Sequence, residues 1–327
     1  MGKIFVEDLR LGEPVLSYFL VTGKQERQKK TGESFLSLIL GDRTGQVAAV
    51  LWEIPTDDDR RIAPGRIVKV QGTVSSYQGE PQLVIQRIRL AEDGEASVED
   101  FFPRSTRDVG EMLTFLRDTA SSFGNPHLKA LLQGMLTDEE FLRDFCAAPG
   151  AKGIHHVFLG GLLEHTVSIV TICRFLADHY PGVNRDMLLT SAVLHDVGKI
   201  RELSWEGAFD YTDQGRLLGH ITLGTLLVEE RIRRIPDFPA PTATELLHNI
   251  LSHHGEYEWG SPKRPKTLEG LILHHVENLD GKVNNFQAFA LSHPDPDRPG
   301  WTTYHKTLDR YLYLGRNYED SASSPLS

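Results

Sequence analysis

The stretch Val193-Leu-His-Asp-Val-Gly-Lys199 puts an imidazole, a carboxylate and an ammonium within five residues. It closes an apolar run, "MLLTSAVL", so these polar groups stand directly behind a helix face suited to a core. Charges in that position are costly unless something pairs with them. Other ligand-type residues intrude on apolar surroundings elsewhere: His165 in "GGLLEHTVSIV", His220 in "LLGHITLG" and Asp280 in "VENLDGKV". Any one of them is accounted for by a hydrogen-bonded core residue. Their coincidence on separate helices points instead to a shared partner. Neutral imidazole together with carboxylate suits a borderline divalent cation such as Mn, Fe, Co, Ni or Zn, which would also supply the missing counter-charge. Of the remaining histidines, His127, His179, His293 and His305 read as surface residues. His155-His156 and His274-His275 are adjacent pairs, of which at most one member each faces a site.

The elements that must position these residues divide the chain in two. Residues 1–92 alternate as strands do: "VLSYFLVTGKQERQKKTGESFLSLILGD" reads as a hairpin with a basic tip, and three further strands follow, punctuated by Gly and Pro. Five short strands fit a small closed barrel of the OB type. Such a barrel binds single strands by aromatic stacking beside a basic groove. Phe35, Trp52 and Tyr77 are candidate stackers; Lys24, Arg27, Lys29 and Lys30 line the tip, and Arg66, Lys69, Arg87 and Arg89 could track phosphates. Barrel core and a solvated face account for the same residues without a ligand. Residues 93–108 read as a linker, and from 109 to about 318 the period becomes helical. The expected helices include Val157 to His179, one from Asn184 or Asp186 to Gly198, one opened by a Thr242–Glu245 capping box, and a long one from Thr267. Residues 319–327 read as a disordered tail. The expected class is thus multidomain: an all-β OB-type barrel, then an all-α domain.

Composition narrows the function classes. The two cysteines, Cys146 and Cys173, lack C-x-x-C spacing, and no run approaches a membrane span or a signal peptide. A cytoplasmic protein without membrane partners is expected. Residues 1–92 carry 13 Lys and Arg against 12 Asp and Glu; the remainder carries 22 against 33. Binding of a polyanion by side-chain charge alone is excluded for the second part. Bound cations would have to supply the positive charge there.

The order His165 … His195-Asp196 … Asp280 resembles the H…HD…D signature of the HD superfamily of metal-dependent phosphohydrolases. His195-Asp-Val-Gly-Lys199 is close to the form seen in its phosphodiesterase branches, and His220 and His253-His254 match their additional histidines. With a preceding OB-type barrel, the chain resembles the bacterial YhaM-like 3′–5′ exoribonucleases. "GRLLGHI", "HHGEYEWGSPKRPKTLEGLILHHVENLD" and "WTTYHKTLDRYLYLG" carry that likeness over almost the whole chain. The resemblance implies one metal on His165, His195, Asp196 and Asp280, and a second on His220, His253 and His254, with Asp196 able to bridge. One or two ions per chain are expected, Mn²⁺ first, with Fe, Co, Ni, Zn or Mg as alternatives. The implied activity is stepwise hydrolysis of single-stranded RNA, or DNA, from the 3′ end, with a homo-oligomer conceivable. Asp196 and Lys199 are the expected catalytic residues. Lys199 could reach the phosphate or the leaving oxygen, or else be a helix-end lysine; Lys263 and Arg264 could clamp phosphate, or form a solvated turn. Two rival readings stay open: an HD phosphohydrolase of small nucleotides or cyclic dinucleotides, and a strand-binding protein with a structural metal. Structural sites favour closed Cys and His sets, unlike this one.

Overall fold

The computed structural model describes residues 3–29, 31–53, 62–92, 94–97, 100–102, 107–150, 160–204 and 210–315. The first five strands are β1 (Pro14–Gln28), β2 (Ser34–Asp42), β3 (Gly45–Leu51), β4 (Ile67–Tyr77) and β5 (Glu80–Leu90). They close in the order β1-β2-β3-β5-β4, with β3 and β5 parallel and the other pairs antiparallel. Alternation explains the closure: Leu36, Leu38 and Leu40 of β2 turn inward with Phe19, Val70 and Leu83, and all are buried. The OB-type expectation holds.

The segment read as a linker is more than a tether. Phe101 and Phe102 are buried against Leu20 and Ile67 on the outside of the barrel. Glu95 takes two hydrogen bonds from Arg89, at 2.6 and 2.7 Å, and lies 3.6 Å from Lys69. A composition of small and acidic residues conceals this strap, because two aromatic anchors and one carboxylate suffice to hold it.

The second part is built from α1 (Val109–Ser121), α2 (Pro126–Met135), α3 (Glu139–Ala147), α4 (Gly161–His179), α5 (Arg185–Leu194), α6 (Lys199–Glu202), α7 (Asp213–Ile232), α8 (Ala240–Ser252) and α9 (Leu268–Ser292). It is not wholly helical. Short hairpins pair β6 (Leu203–Ser204) with β7 (Asp210–Tyr211), and β8 (Trp301–His305) with β9 (Arg310–Tyr313). The second hairpin makes His305 a buried residue, its ring bonded to Asn285 of α9, contrary to its expected surface place. The expected start of α4 at Val157 falls outside the described residues. No capping box opens α8; the helix begins earlier, at Ala240, with Pro241 in a first turn that needs no donor there.

α5 is the hub. Asn184 caps it by accepting from Met187 N–H, and Met187 through Leu194 are all buried. Neighbouring α4, α8 and α9 pack on it through one core that includes Leu163, Val170, Leu188, Leu246 and Leu273. A buried polar thread ties three of these helices. Thr267 caps α9 and donates to Asn249 Oδ1 at 2.5 Å, while Asn249 Nδ2 donates to Ser191 Oγ at 3.0 Å. Replacing Asn249 by similarly sized Leu removes the acceptor of the Thr267 hydroxyl and the donor to the buried Ser191 Oγ. Asn249→Leu should cost about 1–3 kcal/mol, read as a lower denaturant midpoint; an unchanged midpoint would refute the thread.

Candidate metal centre

Helix ends and breaks bring the ligand-type residues together. α5 stops at His195 and Asp196, α8 stops at His253 and His254, and α7 is interrupted just before His220. His165 and Glu277 project from within α4 and α9. The ligand atoms of His165, His195, Asp196 and Glu277 lie within 4.8 Å of one another, and so do those of His220, His253 and His254. Asp196 faces both groups. Its Oδ2 is 3.4 Å from His195 Nε2 and 3.7 Å from His165 Nε2; its Oδ1 is 3.4 Å from His220 Nε2 and 3.6 Å from His253 Nε2.

The ring nitrogens on the far sides are occupied. Nδ1–H of His195 donates to Ala192 O at 2.9 Å, that of His253 to Ile250 O at 2.7 Å, and that of His254 to Trp259 O at 3.0 Å. A carbonyl can only accept, so these rings turn Nε2 inward as the coordinating atom. Among the described residues, Asp196 Oδ1 and Oδ2, His220 Nε2, His253 Nε2 and Glu277 Oε2 are buried without a hydrogen bond. Buried polar atoms seldom go unsatisfied. Asp196 Oδ2 has the Lys199 ammonium at 2.5 Å and Glu277 Oε2 the His165 ring at 2.9 Å. Asp196 Oδ1, His220 Nε2 and His253 Nε2 converge with no partner that close among the described residues, and the set fits divalent cations.

Protons supply part of the positive charge otherwise. Burial opposes charging His165 and His195, yet Glu277 with Asp280, and Asp196 with Glu277, outweigh it and lift the two rings to about 9 and about 10. Burial likewise opposes ionising Asp196 and Glu277, but Lys199 and the histidines hold both far below the usual carboxylate range. In the other group burial, reinforced by neighbouring histidines, lowers His253 and His254, so they are neutral donors at pH 7.

Two expectations about individual residues change. Asp280 stands behind the cluster, not in it: its Oδ2 is 3.2 Å from His165 Nδ1 and takes a bond from Asn284, and its Oδ1 accepts from Ser168 at 2.5 Å. Glu277, one turn earlier on α9, occupies the inner place, with Oε2 2.9 Å from His165 Nε2 and 3.3 Å from His195 Nε2. Sequence reasoning misses it; a second acid three residues before Asp280, hence on a neighbouring part of the same face, is the available signal. Lys199 is turned inward, 2.5 Å from Asp196 Oδ2 and donating to Gly150 O at 2.6 Å, so it is the counter-charge of Asp196. Arg264 pairs with Glu256 at 2.9 Å and lies over the Tyr257 ring, while Lys263 is exposed on the same loop.

On the barrel, Arg27 of β1 is in register with Phe35 of β2, whose ring lies 4.8 Å from that of Trp52. An aromatic pair therefore adjoins the basic hairpin. Arg27 bonds Gln25 and Lys29 pairs with Glu33; Lys24 lies on the same strand, and Lys30 is outside the described residues. Tyr77 is exposed at the separate β4–β5 turn. Arg66 and Arg87 are exposed, whereas Lys69 and Arg89 are engaged by Glu95.

Comparison with known proteins agrees with both halves. The HD domain family model matches residues 162–282, and the OB-fold nucleic acid binding domain model matches residues 20–91. A protein of Geobacillus sp. (strain WCH70) named 3′-5′ exoribonuclease YhaM is 36% identical over 275 residues, 84% of each chain. Its namesake in Bacillus subtilis (strain 168) is 35% identical over 277 residues, 84% of this chain and 87% of that one. Among solved structures, the second OB-fold domain of replication protein A from Methanococcus maripaludis aligns with 29% of this chain and 98% of its own, at 23% identity and a TM-score of 0.23. No helix among the described residues is long and apolar enough to cross a membrane.

Two outcomes are expected. Glu277→Ala should abolish tight Mn²⁺ binding at the first group, while Asp280→Asn should weaken it about 10–100-fold, as read by calorimetry; the reverse ranking would return Asp280 to the inner place. Cation and proton compete for Nε2 of His165 and His195, so Mn²⁺ affinity should rise with pH up to about 10. Titrations in buffers of different ionisation enthalpy should show proton release at pH 7.5, and its absence would contradict the assignment.

Proposed function

The chain belongs to the YhaM family of 3′–5′ exoribonucleases, and from that premise we propose that it shortens single-stranded RNA from the 3′ end by metal-dependent phosphodiester hydrolysis at Asp196. The observation that carries this reading is the placement of Asp196, whose two oxygens face two separate groups of ligands. Divalent ions held there, with Mn²⁺ the first candidate, would activate water near neutral pH and offset charge on the attacked phosphate.

The chain's own residues do the rest. His165, His195, Asp196 and Glu277 form one cation position and His220, His253 and His254 the other, with Asp196 shared. Lys199 keeps Asp196 ionised and fixed, and Asp280 holds the His165 ring with Nε2 inward. A carboxylate-containing, cysteine-free set leaves positions for substrate more readily than a closed structural site does. Lys263 and Arg264 lie on the loop that follows His254, where Arg264 could exchange Glu256 for a phosphate oxygen.

The barrel supplies grip without base preference. Phe35 and Trp52 offer ring faces to unpaired bases, and Arg27, Lys24 and Lys29 flank them with positive charge. Duplex bases present no free faces, so single strands are favoured. Two free cysteines, one of them buried, suit a reducing cytoplasm.

With 5′-labelled single-stranded RNA, the protein should yield a ladder receding from the 3′ end with release of nucleoside monophosphates. EDTA should stop it, and Mn²⁺ restore it. Asp196→Ala should be inactive. Turnover of cyclic dinucleotides with no RNA ladder would transfer the activity to small nucleotides. Phe35→Ala with Trp52→Ala should weaken RNA binding by about 1–3 kcal/mol per lost stack, measured by fluorescence anisotropy, while leaving dinucleotide hydrolysis intact. Equal losses on both substrates would remove the barrel from strand binding.

A further inference from the structure

We propose that Glu202 is a positioning residue that sets the second cation position by fixing the orientation and tautomer of His220; this rests on reading His220, His253 and His254 as a cation site. α7 is interrupted at Gly219, whose φ of 72° and ψ of 158° are open in practice only to glycine. The interruption takes the His220 N–H out of the helical ladder and leaves it in need of an acceptor. Glu202 provides one. Its Oε1 accepts from His220 N–H at 2.9 Å and from the Nδ1–H of the same residue's ring at 3.1 Å.

One oxygen that takes both donors ties the ring to its own backbone and so restrains both side-chain torsions. It also assigns the tautomer: Nδ1 carries the proton, and Nε2 keeps its lone pair. That Nε2 is buried, has no hydrogen bond, and lies 3.4 Å from Asp196 Oδ1. Glu202 is itself held, because its carbonyl accepts from Thr212 N–H at 2.9 Å where α7 begins. The fit between α6 and α7 is close enough to make this geometry specific. A Cβ placed on Gly198 would stand 1.9 Å from His220 O, so the turn after Asp196 rests on the His220 backbone itself.

The other two histidines of this group are oriented differently, His253 and His254 by backbone carbonyls. His220 alone in it is backed by a carboxylate. The first group repeats the arrangement, with His165 backed by Asp280. Each cation position is thereby given one imidazole made more basic by a carboxylate behind it, which strengthens the metal bond and fixes the ring.

The test is a Mn²⁺ titration by calorimetry, with bound metal counted after dialysis, on the full-length wild type, Glu202→Ala and Glu202→Gln. Glu202→Ala should weaken the second ion about 10–100-fold and leave the first unchanged. Glu202→Gln keeps an oxygen that can accept both bonds, so it should recover part of that loss. Circular dichroism establishes folding; if the alanine variant does not fold, the glutamine variant decides by whether it weakens the second ion selectively. Unchanged second-ion affinity in a folded variant, or equal loss of both ions, overturns the proposal. A wild type that takes up no Mn²⁺ overturns the cation-site reading itself, whereas normal uptake by Glu202→Ala overturns only the role of Glu202.

Discussion

A carboxylate buried at the end of an apolar helix governs this architecture. Asp196 is almost wholly enclosed, and its Oδ2 lies 2.5 Å from the Lys199 ammonium. An isolated charge in such a place would take up a proton instead. Here burial is outweighed, chiefly by Lys199 and His195 beside Oδ2, and the carboxyl stays ionised. Once that group is fixed, the surrounding helices have little freedom. α4 must bring His165, α9 must bring Glu277, and α7 and α8 must end or break where their imidazoles reach Oδ1.

The use of helix termini follows from the same constraint. A residue at the last turn can turn its ring inward while its Nδ1–H is satisfied by a carbonyl of its own helix, as in His195 with Ala192 and His253 with Ile250. Those carbonyls would otherwise lack partners. A mid-helix histidine has no such local acceptor and needs one from elsewhere. His165 finds Asp280, and His220, beside the break at Gly219, finds Glu202. The different supports for the histidines thus track where each sits on its helix.

The same geometry decides which residues are legible in the sequence. His195 and Asp196 are legible because adjacent polar residues behind a long apolar run must find a buried partner, and His165 and His220 stand out against apolar neighbours. The barrel is legible because Leu36, Leu38 and Leu40 recur at every second position, the period of a strand. On α9 the signal is ambiguous. Glu277 and Asp280 are one turn apart, and which of them faces the cluster depends on how α9 is rotated against α4, a tertiary fact without a local signature. Lys199 is ambiguous for a related reason, since its direction depends on Gly150, which lies far away in sequence. The strap at Phe101 and Phe102 is hidden because its anchors lie in a segment whose composition is otherwise that of a linker.

The distribution of charge divides the labour between the two parts. The helical part is strongly acidic, so its attraction for a polyanion must come from cations concentrated where the phosphate reacts, not from a broad basic surface. The barrel is near neutral, and part of its basic equipment is already taken, since Glu95 of the strap holds Arg89 and Lys69. The aromatic pair Phe35 and Trp52 lies beside the hairpin that carries Lys24, Arg27 and Lys29. Stacking is indifferent to sequence and weak per base, whereas a metal-centred site is strong at one phosphate. An enzyme that must release its product and advance along the strand after each cleavage needs that combination: a loose hold on many nucleotides and a tight hold on one.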